Sequence, residues 1–174
     1  VQHKQKLMLF YILPLAVWIS GIVLASSMSY ETQNVRPLLQ NVPTDWIERS
    51  FSWVSFTYGD SVISLQTRST EAFAEFFIRK GAHVLVFAIL AVLLLRLLLF
   101  ATKRTTLAVT ITLVTVAIFA IIDEYRHLLH PNRTGMVEDV ILDFLGACLG
   151  IAIYLLIIRR GKQRAHVSHA SKRL

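Results

Sequence analysis

"IIDEYRHLLHPNRTGMVEDVILDFLGACLG", running from Ile121 to Gly150, joins two apolar stretches of membrane-spanning character, yet it holds five carboxylates, four basic or imidazole side chains and a proline. Its spacing decides how the chain must pack. Asp139, Asp143, Gly146 and Gly150 follow i, i+4, i+7, i+11, which sets two carboxylates above two glycines on one helical stripe. Asp123 and His127, at the end of the preceding stretch, are four apart and share a face as well. Glycines on such a stripe let another helix come close. Buried carboxylates there require partners or water.

Working outward, the whole chain of 174 residues is 55 % hydrophobic, too apolar for an ordinary soluble domain of that length. One all-α membrane domain over residues 1–174 is expected. A span needs about 20 mostly apolar residues, and four stretches qualify: about 7–25 with Pro14 inside, 81–100, 107–122 and 140–158. Lys4, Lys6 and the small residues Ala25, Ser26 and Ser27 lend the first stretch the look of a signal peptide. Its apolar run is longer than a signal core, so it is read as a span.

Charge then orients the spans. All eleven Asp and Glu residues fall either between spans one and two or between Asp123 and Asp143. The other side carries no acid, only Lys4, Lys6, Arg96, Lys103, Arg104, Arg159, Arg160, Lys162, Arg164, Lys172 and Arg173. The positive-inside rule makes that side cytoplasmic, with both termini and a basic tail at 159–174. The net charge of +7 therefore belongs to membrane lipids and needs no nucleic-acid partner. Cys148 is the single cysteine and can close no internal disulfide.

The exported loop, 26–78, is long enough to have structure. Thr44 can cap a short helix from Asp45 to about Ser52, with Asp45 and Glu48 in its first turn. In "VSFTYGDSVISL", alternation up to Gly59-Asp60 predicts a small β-hairpin with a two-residue turn. Trp46, Trp53 and Tyr58 are expected at headgroup level, making the loop a membrane-surface cap, with a ligand-binding lid as the alternative.

Span two opens "FFIRKGAHVLVF", where Arg79 and His83 are four apart and Lys80 and His83 three apart. Three spans thus bring polar ends to one outer side, and Arg79, Lys80, His83, Asp123, Glu124, His127, Asp139 and Asp143 are expected to cluster there. Span three offers roughly 24 Å of apolar helix at about 1.5 Å per residue, so its acids sit near the membrane boundary. Asp143, one turn deeper than Asp139, calls for a cation, for which Arg79 or Lys80 is the natural choice.

"RKGAH" followed by Phe87, and "DEYRH" followed by "PNRTGMVEDVILDFLGACLG", resemble the paired signatures of the VanZ-like family of bacterial membrane proteins. The resemblance covers about Ser26 to Ile158. His127 stands where that family usually has glutamine, and Phe87 where it often has tyrosine. The family implies a cell-envelope role, since the member that names it is associated with low-level teicoplanin resistance.

Three functions fit these residues. A salt-bridge network of the five acids with Arg79, Lys80, Arg126 and Arg133 would serve only helix packing. A hydrolase or transferase acting on a lipid-linked envelope precursor would use Asp123 or Glu124 as general base and His83 or His127 as proton shuttle. Arg79, Lys80 or Arg133 would then bind a phosphate. A non-catalytic binder of a peptidoglycan-related or anionic lipid ligand would use the same face, including Asp139 and Asp143. No nucleophile elbow, Walker loop or HExxH occurs. No cofactor is expected; a divalent metal on Asp123, His127, Asp139 and Asp143 is a sub-case that the adjacent Arg79 and Lys80 oppose. Transport is disfavoured, because the inner halves of the spans are plain Leu, Val and Ile.

Overall fold

The structure is a computed structural model and describes residues 2–29, 31–40, 43–129 and 135–171. Four helices are long and apolar enough to cross a membrane. The first is composite: α1 (Gln2–Leu7) and α2 (Leu13–Ser27) are joined by a π-helical turn at Met8–Ile12. Pro14 explains the turn. It has no N–H to donate, and its ring presses on the carbonyl four residues back, so the helix widens upstream of it.

Between spans one and two lie a 3-10 turn (Glu31–Gln33) and α3 (Arg36–Leu39), neither anticipated, then α4 (Asp45–Phe51) and the hairpin β1 (Ser55–Tyr58) and β2 (Ser61–Ser64). The hairpin has the expected two-residue turn. Gly59 adopts φ +56°, the conformation that such turns demand and only glycine takes freely, and Tyr58 pairs with Ser61 across it. Thr44 begins α4 as expected, but through its backbone carbonyl, which accepts from Ile47 N–H, and not through its side chain.

The second long helix, α5 (Thr70–Thr102), starts well before Gly81, the expected beginning of span two. Ser69 caps it by accepting from Ala72 N–H. Its extra turns place Phe73 in a small core with Ile47 and Ile63, which anchors the cap to the helix. Each such buried side chain is worth about 1.5–3 kcal/mol.

Lys103, in the left-handed conformation at φ 55°, turns the chain into α6 (Thr105–Leu128), and α7 (Val137–Ser171) follows. Along α6 the small Ala108, Thr112, Val116 and Ala120 are buried, while Leu107, Ile111, Val114 and Ile118 face outward. That arrangement suits a helix whose neighbours are reached by close backbone approach and whose large apolar groups meet lipid.

The tightest packing joins α5 to α7. A Cβ on Gly146 would lie 2.5 Å from the Val84 carbonyl oxygen, and one on Gly150 2.5 Å from that of Ala88. The glycine stripe thus does let another helix come close. Because contacts advance along both helices together, from Lys80 and Asp139 through Val84 and Gly146 to Ala88 and Gly150, α5 and α7 run in the same direction. Span one packs less closely, and in α2 only Ile22 and Ser26 are buried.

Candidate functional site

Two polar layers lie where α5, α6 and α7 bring their charged ends together. In the upper layer, Asp139 Oδ1 accepts from Lys80 Nζ and, at 2.6 Å, from the Tyr58 hydroxyl. The lysine ammonium also sits over the Tyr58 and Phe76 rings, 4.5 and 5.4 Å from their centroids. Burial first, and then the Asp139 carboxylate, push the Tyr58 phenol well above the usual tyrosine range, so it remains a proton donor. Trp46 and Trp53, expected with Tyr58 at headgroup level, are exposed. Tyr58 departs from that expectation: it turns inward and closes the site. No spacing within the chain linked it to Asp139, 81 residues away.

The lower layer is built of imidazoles and carboxylates. His83 Nδ1 lies 3.0 Å from Asp143 Oδ1, and His127 Nδ1 lies 3.2 Å from Glu124 Oε2. The two rings are nearly perpendicular, with centroids 6.4 Å apart. The partner of Asp143 is therefore His83, and not Arg79 or Lys80 as the sequence suggested; Lys80, one turn nearer the end of the bundle, is matched to Asp139. Glu124 is fully employed, since its Oε1 accepts from Met136 N–H at 2.7 Å and so ties the end of α6 to the start of α7. Asp123 differs. Its Oδ2 is 4.0 Å from His127 Nε2, and its Oδ1 has no hydrogen-bond partner although the residue is only 5 % exposed.

One of the basic residues expected in the network stands elsewhere. Arg126 donates to Ser27 Oγ at 2.6 Å and to the Val23 carbonyl, docking span one onto α6 instead of joining the cluster. Arg133 lies outside the described residues. Among the described residues no group of three or more His, Cys, Asp or Glu side chains is placed to hold a metal ion. Asp139 and Asp143 are drawn to Lys80 and His83, which pulls apart the ligand set considered for the metal.

Asp123 opens onto a crevice of about 580 Å³ between span one and α5. Val17, Trp18, Gly21, Ile22, Val86 and Phe87 give it apolar walls; Ser26, Gln33, Arg79, His83, Asp123 and His127 line its polar end. Ser26 Oγ there is also buried without a partner. A second cavity of about 250 Å³ lies under the hairpin, lined by Arg36, Arg68, Arg79 and Lys80 together with Glu75 and Asp139. Sequence reasoning missed Arg36, Arg68 and Glu75, which come from the cap and the extra turns of α5. Periodicity could have found Glu75, because Ala72, Glu75, Arg79 and His83 follow helical spacing.

The outlets for chemistry are thus an apolar crevice with an acid–imidazole end, and a cationic chamber beside it. No curated protein and no solved structure matches the chain. The sequence model of the VanZ/LLP1 family does, over residues 10–158, reaching back into the first span as well as through both motifs. With four helices of spanning length in that match, the chain is a multi-pass membrane protein that belongs to the VanZ/LLP1 family.

Proposed function

We propose that this is a cell-envelope protein with both termini in the cytoplasm, and that its polar end binds a lipid-anchored envelope ligand at the outer leaflet. The ligand chain lies in the crevice and its head meets Arg79, His83, Asp123 and His127. The observation that carries this reading is the crevice itself: apolar along one side, ended by a buried carboxylate oxygen and a serine hydroxyl that lack protein partners. Asp143 Oδ2 is likewise buried without a partner, but of these two carboxylates only Asp123 lines the crevice, where a ligand head can reach it. Membership of the family whose naming member is associated with teicoplanin resistance supports a contribution to teicoplanin tolerance.

Gly21 provides the test. A side chain there meets nothing within 4 Å and projects where the crevice is open. Gly21→Phe should fill the crevice while leaving thermal stability unchanged or slightly raised, since glycine is a poorer helix former than phenylalanine by roughly 0.5 kcal/mol. Native mass spectrometry of the purified protein should show bound lipid on the wild type and at least tenfold less on the variant, and cells should lose teicoplanin tolerance with it. Equal lipid occupancy in both proteins would reject the crevice as a binding site.

Orientation has its own check. With Cys148 replaced by alanine, a cysteine at the exposed hairpin tip, Asp60→Cys, should react with an impermeant maleimide on intact cells. Reaction only after lysis would invert the topology.

A second reading, acid–base chemistry on the bound head, is favoured by the two imidazole–carboxylate pairs beside the crevice. In it His83, held by Asp143, takes the proton of an attacking water, and Asp123 replaces Glu124 as the acid nearest the ligand. Turnover of a lipid-linked precursor that vanishes in His83→Gln while lipid binding persists would establish it.

A further inference from the structure

Arg79 lines both cavities. We propose that crevice and chamber are one site for a phosphate-bearing amphiphile, with Arg79 at the phosphate, the apolar chain along Trp18 and Val86, and a polar head in the chamber beneath the hairpin. This rests on the reading that the crevice takes a lipid chain.

The order of side chains along α5 supports it. Val86 and Phe87 belong to the apolar part of the crevice, His83 to its polar end, Arg79 to the boundary, and Ala72, Glu75 and Phe76 to the chamber alone. At about 1.5 Å per residue, Arg79 stands roughly 10 Å above Val86. A ligand following that helix therefore passes from hydrocarbon to charge to a polar chamber, the sequence of parts in a lipid phosphate with a head group.

Charge selects the sign. The chamber is lined by four cationic side chains and two carboxylates, an excess of two positive charges. Arg36 is paired with Glu75 at 2.6 Å and Lys80 with Asp139. Arg68 donates to the Val62 carbonyl and leaves its charge uncompensated by any carboxylate lining the chamber. Arginine suits this position because its planar fork binds a phosphate through two parallel hydrogen bonds.

Trp18 can report occupancy, since its indole N–H donates to the Val86 carbonyl at 3.0 Å inside the crevice. The probe is 11-bromoundecyl phosphate, whose bromine quenches indole fluorescence, compared with 11-bromoundecanol at equal mole fraction in detergent. The protein is the full chain carrying Trp46→Phe and Trp53→Phe, so that Trp18 alone emits. The phosphate should half-saturate quenching at about tenfold lower mole fraction than the alcohol. Arg79→Gln should bring the two within about twofold by weakening the phosphate far more than the alcohol, and Arg79→Lys should keep part of the difference, given that one charged hydrogen bond is retained.

Equal quenching by phosphate and alcohol in the wild type overturns the phosphate site while leaving the chain-binding reading in place. Saturable quenching by neither compound overturns both. Where the phosphate preference holds, competition identifies its source. Displacement by a polyprenyl phosphate and not by dioleoyl phosphatidylglycerol assigns the site to lipid-linked carriers; displacement by both assigns it to phosphate lipids generally. Displacement by neither overturns the proposal.

Discussion

Asp139→Ala is expected to lower the unfolding free energy of the purified protein by about 3–5 kcal/mol, because it removes one partner of a buried ion pair and leaves the other in place. Lys80 has 18 % side-chain exposure and Asp139 8 %, so neither charge is dissolved in water when its mate is lost. The substitution also strips the Tyr58 hydroxyl of its acceptor and so unfastens the hairpin from the helices. Asp139→Asn keeps an oxygen for Tyr58 but leaves the Lys80 ammonium without its counter-charge, so it should cost less than the alanine variant and still be clearly destabilising. Thermal unfolding in detergent reads the difference as roughly ten degrees for the alanine variant. A melting temperature within two or three degrees of wild type would show that the upper layer contributes little to stability.

Gly146→Leu should be almost as damaging, through geometry and not charge. The new Cβ would lie 2.5 Å from the Val84 carbonyl oxygen and 2.9 Å from its Cα, and both are backbone atoms that no rotamer change can move. The helices must separate, which also draws His83 from Asp143 on the same interface. Overpacking alone costs about 1–3 kcal/mol, and the stretched polar layer adds to it. Gly150→Leu meets Ala88 in the same manner, whereas Gly21→Leu, with open space before it, is the matched control. Gly146→Leu and Gly21→Leu proteins that melt together would refute close packing at Gly146.

The contrast between these glycines shows where sequence alone sufficed. Gly146 and Gly150 stand in register with Asp139 and Asp143, and a single helical period makes all four visible at once. Apolar run length likewise located the four spans, and Gly59-Asp60 between alternating residues located the hairpin. Pairing across helices was less accessible. Both Lys80 and His83 share a face of α5, and only the axial offset between α5 and α7 decides which of them meets Asp143. Arg126 lies about 100° around the helix from His127, so counting it with the cluster on charge alone ignored the direction in which it points. The start of α5 was hidden by composition: Glu71, Glu75, Arg79 and Lys80 depress the apolarity of turns whose Phe73 and Phe76 still follow a helical period. Tyr58 and the chamber beneath it exist only after the cap folds onto those turns.

The parallel course of α5 and α7 bears on how the protein is made. Lys80 and His83 emerge from the ribosome with the second span, while Asp139 and Asp143 arrive only with the fourth, after α6 has already crossed the membrane in the opposite sense. Until then the ammonium and the imidazole must be held by water, by lipid headgroups or by the insertion machinery. The last span is thus the counter-charge that completes the others, and a nascent chain stopped before Val137 would remain a substrate for quality control.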